Sequence, residues 1–323
     1  MMGAGTFAEP TFEALLAAFP GEVVGLVTQP ERVGGRKGGS TRQTGRGMAN
    51  IAATAGVPVA QPESINTPQG LEQLRAMKPD LLVVAAYGQI LSKDVLGVPT
   101  SGTINVHASL LPKYRGAAPV AYAILNGEKH TGVTIIKVTP GLDSGDMILQ
   151  EAIDILPEDT TGTLEARLAT LGAKLAVEAV KKYQAGGPVV GKKQDPALVT
   201  KAPKIKKEFG LIDWTKPADY IERFVRAMQP WPTAYTFLHR EGKSPIRIIL
   251  TRATVADRGS DLQPAGEIMC DVAARDRVQV AAGPGPFLEV QELQIAGKKR
   301  MTAAEFSHGY GFSGDRVGPE VLS

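Results

Sequence analysis

Thr103-Ile-Asn-Val-His-Ala-Ser-Leu-Leu-Pro-Lys-Tyr-Arg-Gly116 is the stretch whose reading decides the fold. It opens as a β-branched run interrupted only by Asn105 and His107. Side chains alternate across a strand, so the amide and the imidazole share one face. Ser109-Leu-Leu-Pro112 then leaves the strand as a loop. Polar side chains at the end of a buried strand mark where an open α/β sheet places its ligand.

The neighbouring sequence supports such a sheet. Residues 23–27 and 81–85 are short apolar runs, and helix patterns fill 48–55 and 68–77, the first stopped by Gly56. Strand patterns at 131–138 and 147–155 flank a Gly-rich turn, Pro140-Gly-Leu-Asp-Ser-Gly-Asp146, in which Gly141 is expected to permit an unusual backbone. A long amphipathic helix is expected over 163–183. Alternating strands and helices predict a doubly wound, mostly parallel, Rossmann-like sheet over residues 1–184. Residues 185–207, interrupted by Gly and Pro and rich in lysine towards the end, read as a linker. Over 208–323 a helix at 218–228 precedes short β-rich runs at 246–251, 278–281 and 287–291, which read as a small β-barrel domain.

Composition narrows the class. The 323 residues suit about two domains, and 43% hydrophobic content is ample for sizeable cores. A single cysteine, Cys270, rules out an internal disulfide, and His107, His130, His239 and His308 form no metal-type pair, so no metal is expected. No apolar run approaches the ~20 residues of a membrane helix, and no basic segment precedes an apolar N-terminal stretch. A cytoplasmic setting, without a membrane, is the expectation.

The net charge is only +3, but its distribution is uneven. Arg32, Arg36, Lys37, Arg42 and Arg46 crowd one loop, Lys201, Lys204, Lys206 and Lys207 a second segment, and Lys298, Lys299 and Arg300 a third. Basic clusters on a balanced chain point to a polyanionic partner. Gly3-Ala-Gly-Thr-Phe-Ala8 matches a dinucleotide fingerprint but lacks the acid that should follow the second strand, so it reads as a tight strand-to-helix turn.

An amide, an imidazole and a carboxylate, Asp143, at strand ends suit acyl chemistry without a covalent nucleophile. The amide stabilises an oxyanion, the imidazole donates or shuttles a proton, and the carboxylate favours the charged imidazole. The Asn-x-His-x-Ser-Leu-Leu-Pro run and the later Gly-Leu-Asp-x-Gly-Asp resemble the paired motifs of the 10-formyltetrahydrofolate-dependent formyltransferases. Thr28-Gln-Pro-Glu-Arg32, Ala86-Tyr-Gly-Gln-Ile-Leu91, Arg115-Gly-Ala-Ala-Pro119, Ile212-Asp-Trp214, Pro230-Trp-Pro232 and Gly297-Lys-Lys-Arg-Met301 resemble the branch that formylates methionyl-tRNA.

The resemblance implies Asn105, His107 and Asp143 as the catalytic groups. It implies a folate co-substrate, 10-formyltetrahydrofolate, against Ser109, Leu110, Leu111 and Pro112 and against Tyr87, Gly88, Gln89, Ile90 and Leu91. It implies initiator methionyl-tRNA as partner, held by Arg32, Arg36, Lys37, Arg42, Arg46, Lys204, Lys206, Lys207, Lys298, Lys299 and Arg300. It implies an OB-like shape for the C-terminal barrel, and a monomer is expected. The family carries a first strand before the Gly-rich turn, whereas only Met1 and Met2 precede Gly3. The expectation is either an upstream start or a sheet built with a stub. Two rivals stand beside this reading: a formyltransferase or formyltetrahydrofolate hydrolase acting on a small substrate, and a catalytically idle RNA-binding protein.

Overall fold

The computed structural model describes residues 1–30, 46–259, 263–270, 277–310 and 315–319. The chain forms two compact units, the first of residues 1–123, 129–156 and 162–204, the second of 124–128, 157–161 and 205–323.

The first unit holds β1 (Met2–Gly3), α1 (Glu9–Ala18), β2 (Leu26–Val27), α2 (Met48–Thr54), β3 (Val59–Ala60), α3 (Pro68–Ala76), β4 (Leu82–Ala85), α4 (Lys93–Leu96), β5 (Thr103–His107) and β6 (Arg115–Gly116). There follow α5 (Pro119–Leu125), β7 (His130–Lys137), β8 (Met147–Asp154), α6 (Thr161–Gln184) and β9 (Lys201–Ala202). Seven strands form one sheet in the order β3-β2-β1-β4-β5-β7-β8. The first five pair in parallel, and β7 and β8 run antiparallel. The stub β1 is central, with Met2 opposite both Val27 and Val84. Because β1 offers so few residues, β2 is confined to Leu26–Val27 rather than the expected 23–27, and Val24 is exposed.

The inner parallel strands β1, β2 and β4 are buried on both faces, which is why β4 reads Leu-Val-Val-Ala without alternation. A core of Met2, Val27, Ile65, Leu74, Leu82, Val84 and Tyr87 fills the space beside them. Thr67 caps α3 by accepting from the Gly70 amide, and Ser92 caps α4 through Val95. α2 stops before Gly56, which takes a left-handed φ of 66°. Helix α6 packs on the sheet face opposite Asn105 and His107. Any β-carbon on Gly172 would lie 2.7 Å from Val106 Cγ1, so glycine permits this close approach.

The second unit holds α7 (Ala218–Ala227), β10 (Ala234–His239), β11 (Ile246–Gly259), β12 (Ile268–Cys270), β13 (Val278–Val280), β14 (Pro286–Ile295), β15 (Arg300–Thr302), α8 (Ala303–Tyr310) and β16 (Arg316–Gly318). Its sheet is antiparallel, in the order β12-β13-β14-β11-β10-β16 with β15 on β14. No ladder closes it among the described residues, although an isolated bridge pairs Glu267, the residue before β12, with Arg316 of β16. β11 and β14 are longer than the expected runs, and β10 follows Pro230-Trp-Pro232 where no strand was expected. The core includes Trp214, whose indole donates to Thr236 Oγ1 at 3.0 Å, and the hydroxyl of Thr236 passes the chain on to Gly318 O.

Candidate active site

Asn105 and His107 sit on one face of β5, as the alternation requires. The Asn105 side chain is half-buried and has no hydrogen-bond partner among the described residues, leaving its amide available as a donor. The His107 side chain is 6% exposed. Its Nε2 lies 3.0 Å from Tyr114 O. A carbonyl only accepts, so Nε2 carries a proton and donates, and Nδ1 is the nitrogen left for chemistry. Nδ1 faces Asp143 Oδ2 at 3.7 Å. That gap is too long for a direct hydrogen bond and leaves a close electrostatic contact between ring and carboxylate.

Asp143 is 13% exposed and its Oδ2 accepts from the Gly116 amide at 2.8 Å. Its own φ is +47°, a left-handed state uncommon for a residue with a β-carbon. This corrects the expected role of Gly141, which is not among the positive-φ residues. A β-carbon there would lie 2.3 Å from Ser144 Oγ, so Gly141 supplies room while Asp143 takes the unusual backbone. Gly116 also has a positive φ, 126°, and a β-carbon would meet Ala202 O at 2.4 Å. Arg115-Gly116 therefore carries a conformational requirement as well as a contact with Asp143.

The loop after β5 is tied down from inside. Ser109 and Leu111 are buried, and the Leu111–Pro112 peptide is cis. Ser109 Oγ donates to Lys113 O, Thr134 Oγ1 donates to Ser109 O, and Leu111 N donates to Thr134 Oγ1. Gln150 Nε2 donates to Leu111 O at 2.9 Å. The side chains of Ser109 and Leu111 thus turn inward, while Leu110 and Pro112 are half-buried.

In the second loop the ring of Tyr87 is in the core, and burial pushes its phenol up to about 12. Only the backbone of Tyr87 is left for a ligand. Gln89 braces the loop by accepting from Ile65 N and donating to Glu63 O. Gly88 turns the chain with φ +82°, Ile90 is 79% exposed, and Leu91 packs at the edge of the core.

Segment 185–207, read as a linker, supplies residues to the site that sequence reasoning missed. Met147 and Lys192 form a two-way backbone bridge, Thr200 Oγ1 accepts from Tyr114 N, and β9 pairs with β6. Gln194 Nε2 donates to Asp143 O and Gly145 O. A lone glutamine among Gly, Pro and Lys carries no sequence signal of this.

The basic positions are spread out. Arg32, Arg36, Lys37 and Arg42 lie outside the described residues. Arg46 pairs with Glu13, while the Arg46 and Gly47 amides donate to Glu9, so it anchors the end of the basic loop. Lys204, Lys206, Lys207, Lys298, Lys299 and Arg300 are exposed, and Arg300 stands 3.6 Å from Glu292. Among the described residues no cluster of His, Cys, Asp and Glu could hold a metal ion, and no helix is long and apolar enough to cross a membrane.

Comparison with known proteins gives this geometry its family. The signature described as Formyl transferase matches residues 1–180, and that described as Formyl transferase, C-terminal domain, matches 204–311. The chain is 44% identical over 310 residues to methionyl-tRNA formyltransferase of Citrifermentans bemidjiense, covering 96% of this chain and 92% of that one. It is 42% identical to the Listeria innocua protein of the same name, covering 96% and 95%. Among solved structures, the N-formyltransferase of Helicobacter canadensis, in complex with folinic acid and dTDP-3-aminofucose, shares the fold with a TM-score of 0.63 at 17% identity, over 90% of this chain and 97% of that one. Methionyl-tRNA formyltransferase from Clostridium thermocellum gives 0.51 at 16% identity, over 87% and 97%. With two family signatures spanning most of its length and relatives above 40% identity end to end, the chain belongs to the formyl transferase family, among the methionyl-tRNA formyltransferases.

Proposed function

We infer that this chain transfers the formyl group of 10-formyltetrahydrofolate to the α-amine of methionine esterified to initiator tRNA, in translation initiation. The observation that carries the chemistry is the convergence of a half-buried amide, a buried imidazole and a carboxylate on β5 and its facing turn. Attack by a neutral amine on a formyl carbon creates an oxyanion and releases a proton. The Asn105 amide and the His107 imidazolium, through Nδ1–H, donate to the oxyanion. Asp143 steadies the imidazolium across its 3.7 Å gap and takes the amine proton, directly or through water. Collapse of the adduct breaks the bond between the formyl carbon and the donor nitrogen, and that nitrogen takes up the proton removed from the amine and leaves as tetrahydrofolate. The donor nitrogen already activates the formyl group, so these steps need no metal.

The folate would lie against Gly88–Leu91, through the exposed Ile90 and the backbone of Tyr87, and against the Leu110–Pro112 side of the braced loop. We assign residues 1–184 to catalysis, 185–207 to a connecting segment, and 208–323 to tRNA binding by an OB-like barrel. The Glu267–Arg316 bridge, between the residue before β12 and β16, supports that shape. The basic loop, with Lys204, Lys206, Lys207, Lys298, Lys299 and Arg300, would follow the tRNA backbone. A cytoplasmic monomer fits this reading.

The test is to mix the protein with 10-formyltetrahydrofolate and charged initiator tRNA and to measure formylated methionine. Product on the tRNA supports the assignment. Formate release without it, or transfer only to a small amine, sinks it in favour of the small-substrate rivals.

A further inference from the structure

We propose that Gln194 is a positioning residue for Asp143, acting in a closed ring of contacts, Arg115–Gln194–Asp143–Gly116. The proposal rests on the reading of Asp143 as a group that serves the transfer. The ring is visible bond by bond. Arg115 donates to Gln194 Oε1 from Nε at 3.0 Å and from Nη2 at 2.8 Å. Gln194 Nε2 donates to Asp143 O at 2.7 Å and to Gly145 O at 2.8 Å. The carboxylate of Asp143 accepts from Gly116 N at 2.8 Å, and Gly116 follows Arg115 in the chain.

The chemistry of the partners fixes the amide's orientation. Carbonyls only accept and a guanidinium only donates, so a flipped amide would face two acceptors with its oxygen and a cation with its nitrogen. Gln194 thus makes four bonds in one sense and none in the other.

The ring matters because Asp143 is held in a left-handed backbone state, φ +47°. A residue with a β-carbon keeps that state only where its surroundings fix it. Gln194 grips its carbonyl while Gly116 grips its carboxylate, so both ends of one residue are held. The same Oδ2 faces His107 Nδ1 at 3.7 Å, and any swing of the turn changes that gap. Gln194 is itself supported on both sides, by the Met147–Lys192 bridge before it and the β6–β9 pairing after it. A bland role, in which Gln194 only glues its segment to the unit, would lower stability without acting through Asp143.

The experiment is steady-state formylation kinetics on the full chain with Gln194→Ala, Arg115→Ala, Asp143→Ala and the Gln194→Ala/Asp143→Ala pair, using a labelled donor. Misplacing a catalytic group by about 1 Å costs ~10²-fold. Gln194→Ala is expected to lower kcat on that scale while the KM values of both substrates hold. Arg115→Ala, which cuts the ring without touching Asp143, should give a smaller loss of kcat of the same kind. In the Asp143→Ala background, Gln194→Ala should cost little more, because its target is gone. A Gln194→Ala protein with unchanged kcat, or with a raised KM at unchanged kcat, overturns the proposal. So does a full loss repeated on top of Asp143→Ala. Should Gln194→Ala not fold, Arg115→Ala decides alone, and an unchanged kcat there overturns the ring. Wild-type turnover in Asp143→Ala itself would instead defeat the catalytic reading on which the ring rests, and that outcome is distinct from the others.

Discussion

The proposed catalytic groups and the basic clusters differ in how each is held. His107 and Asp143 are 6% and 13% exposed, and His107 Nε2 and Asp143 Oδ2 each have a backbone partner. Lys204, Lys206, Lys207, Lys298 and Lys299 are exposed on turns and segment ends. If the proposed roles hold, function in the first region depends on residue identity and on close placement, because each donor serves one atom of one intermediate. In the second, on the same proposal, it depends on how many charges face a phosphate backbone, since each contact adds a similar electrostatic increment. Single substitutions should therefore be drastic in one region and graded in the other.

The largest effect that could break this contrast is at β5. Asn105→Ala removes one donor to the oxyanion, and losing such a donor costs ~10²–10³ in turnover. His107→Ala removes a charge as well and should cost at least as much. Both variants should fold, because Asn105 has no hydrogen-bond partner to lose among the described residues and His107 loses a single bond to Tyr114. Kinetics beside a thermal melt is the check. A folded variant of either kind with near wild-type turnover would remove the distinction between the regions.

Graded behaviour is expected at the charges. Replacing Arg36, Lys37, Arg42 and Arg46 together, and Lys204, Lys206 and Lys207 together, should weaken tRNA binding and leave the folate KM unchanged. On duplex, log K falls by ~0.9 per phosphate contact per log unit of salt, so each lost contact should flatten the slope by about that amount. Of the first set, Arg46 should contribute least, since it already pairs with Glu13. Binding measured at several salt concentrations separates the clusters. If one lysine accounts for the whole effect, it reads a specific feature of the tRNA and the graded picture fails there.

The same difference explains what could be read from the sequence. β5 was legible because its polar residues break a β-branched run at period two, and Gly56 stands where the helix before it stops. Asp143 was legible through its Gly-flanked turn, although the left-handed φ fell on Asp143 and not on Gly141. Gln194, Tyr114 O and Gly116 N were not legible as site groups. Two of them act through the backbone, which no side-chain pattern reports, and Gln194 meets its partners about 50 residues away in the chain. The inward turn of Tyr87 and Ser109 was hidden for a related reason. An aromatic or a hydroxyl in a loop looks available until its neighbours are placed, and here the ring is in the core and the hydroxyl donates to Lys113 O. β10 was missed because the strand begins just beyond Pro230-Trp-Pro232, a segment whose prolines argue locally for a turn.

Glu165 offers the smallest and most selective test, because it is a charged group of the catalytic unit that stands outside the triad. It is half-buried on α6. Burial raises its pKa above the ordinary glutamate value of 4.5, and a hydrogen bond from Thr6 opposes the rise. The folded chain therefore holds this proton more tightly than the unfolded chain. As pH rises through the window above 4.5, ionisation costs more in the folded state, and stability falls by the difference. Glu165→Gln keeps the shape and never ionises, so it should match wild type near pH 4 and melt about 2 °C higher near pH 7, a shift typical of a small change in a domain of this size. Turnover should stay the same. Paired melts at the two pH values, with kinetics at neutral pH, check both halves. A variant that loses activity would place Glu165 among the groups that serve the transfer, and burial alone would no longer separate structural charges from catalytic ones.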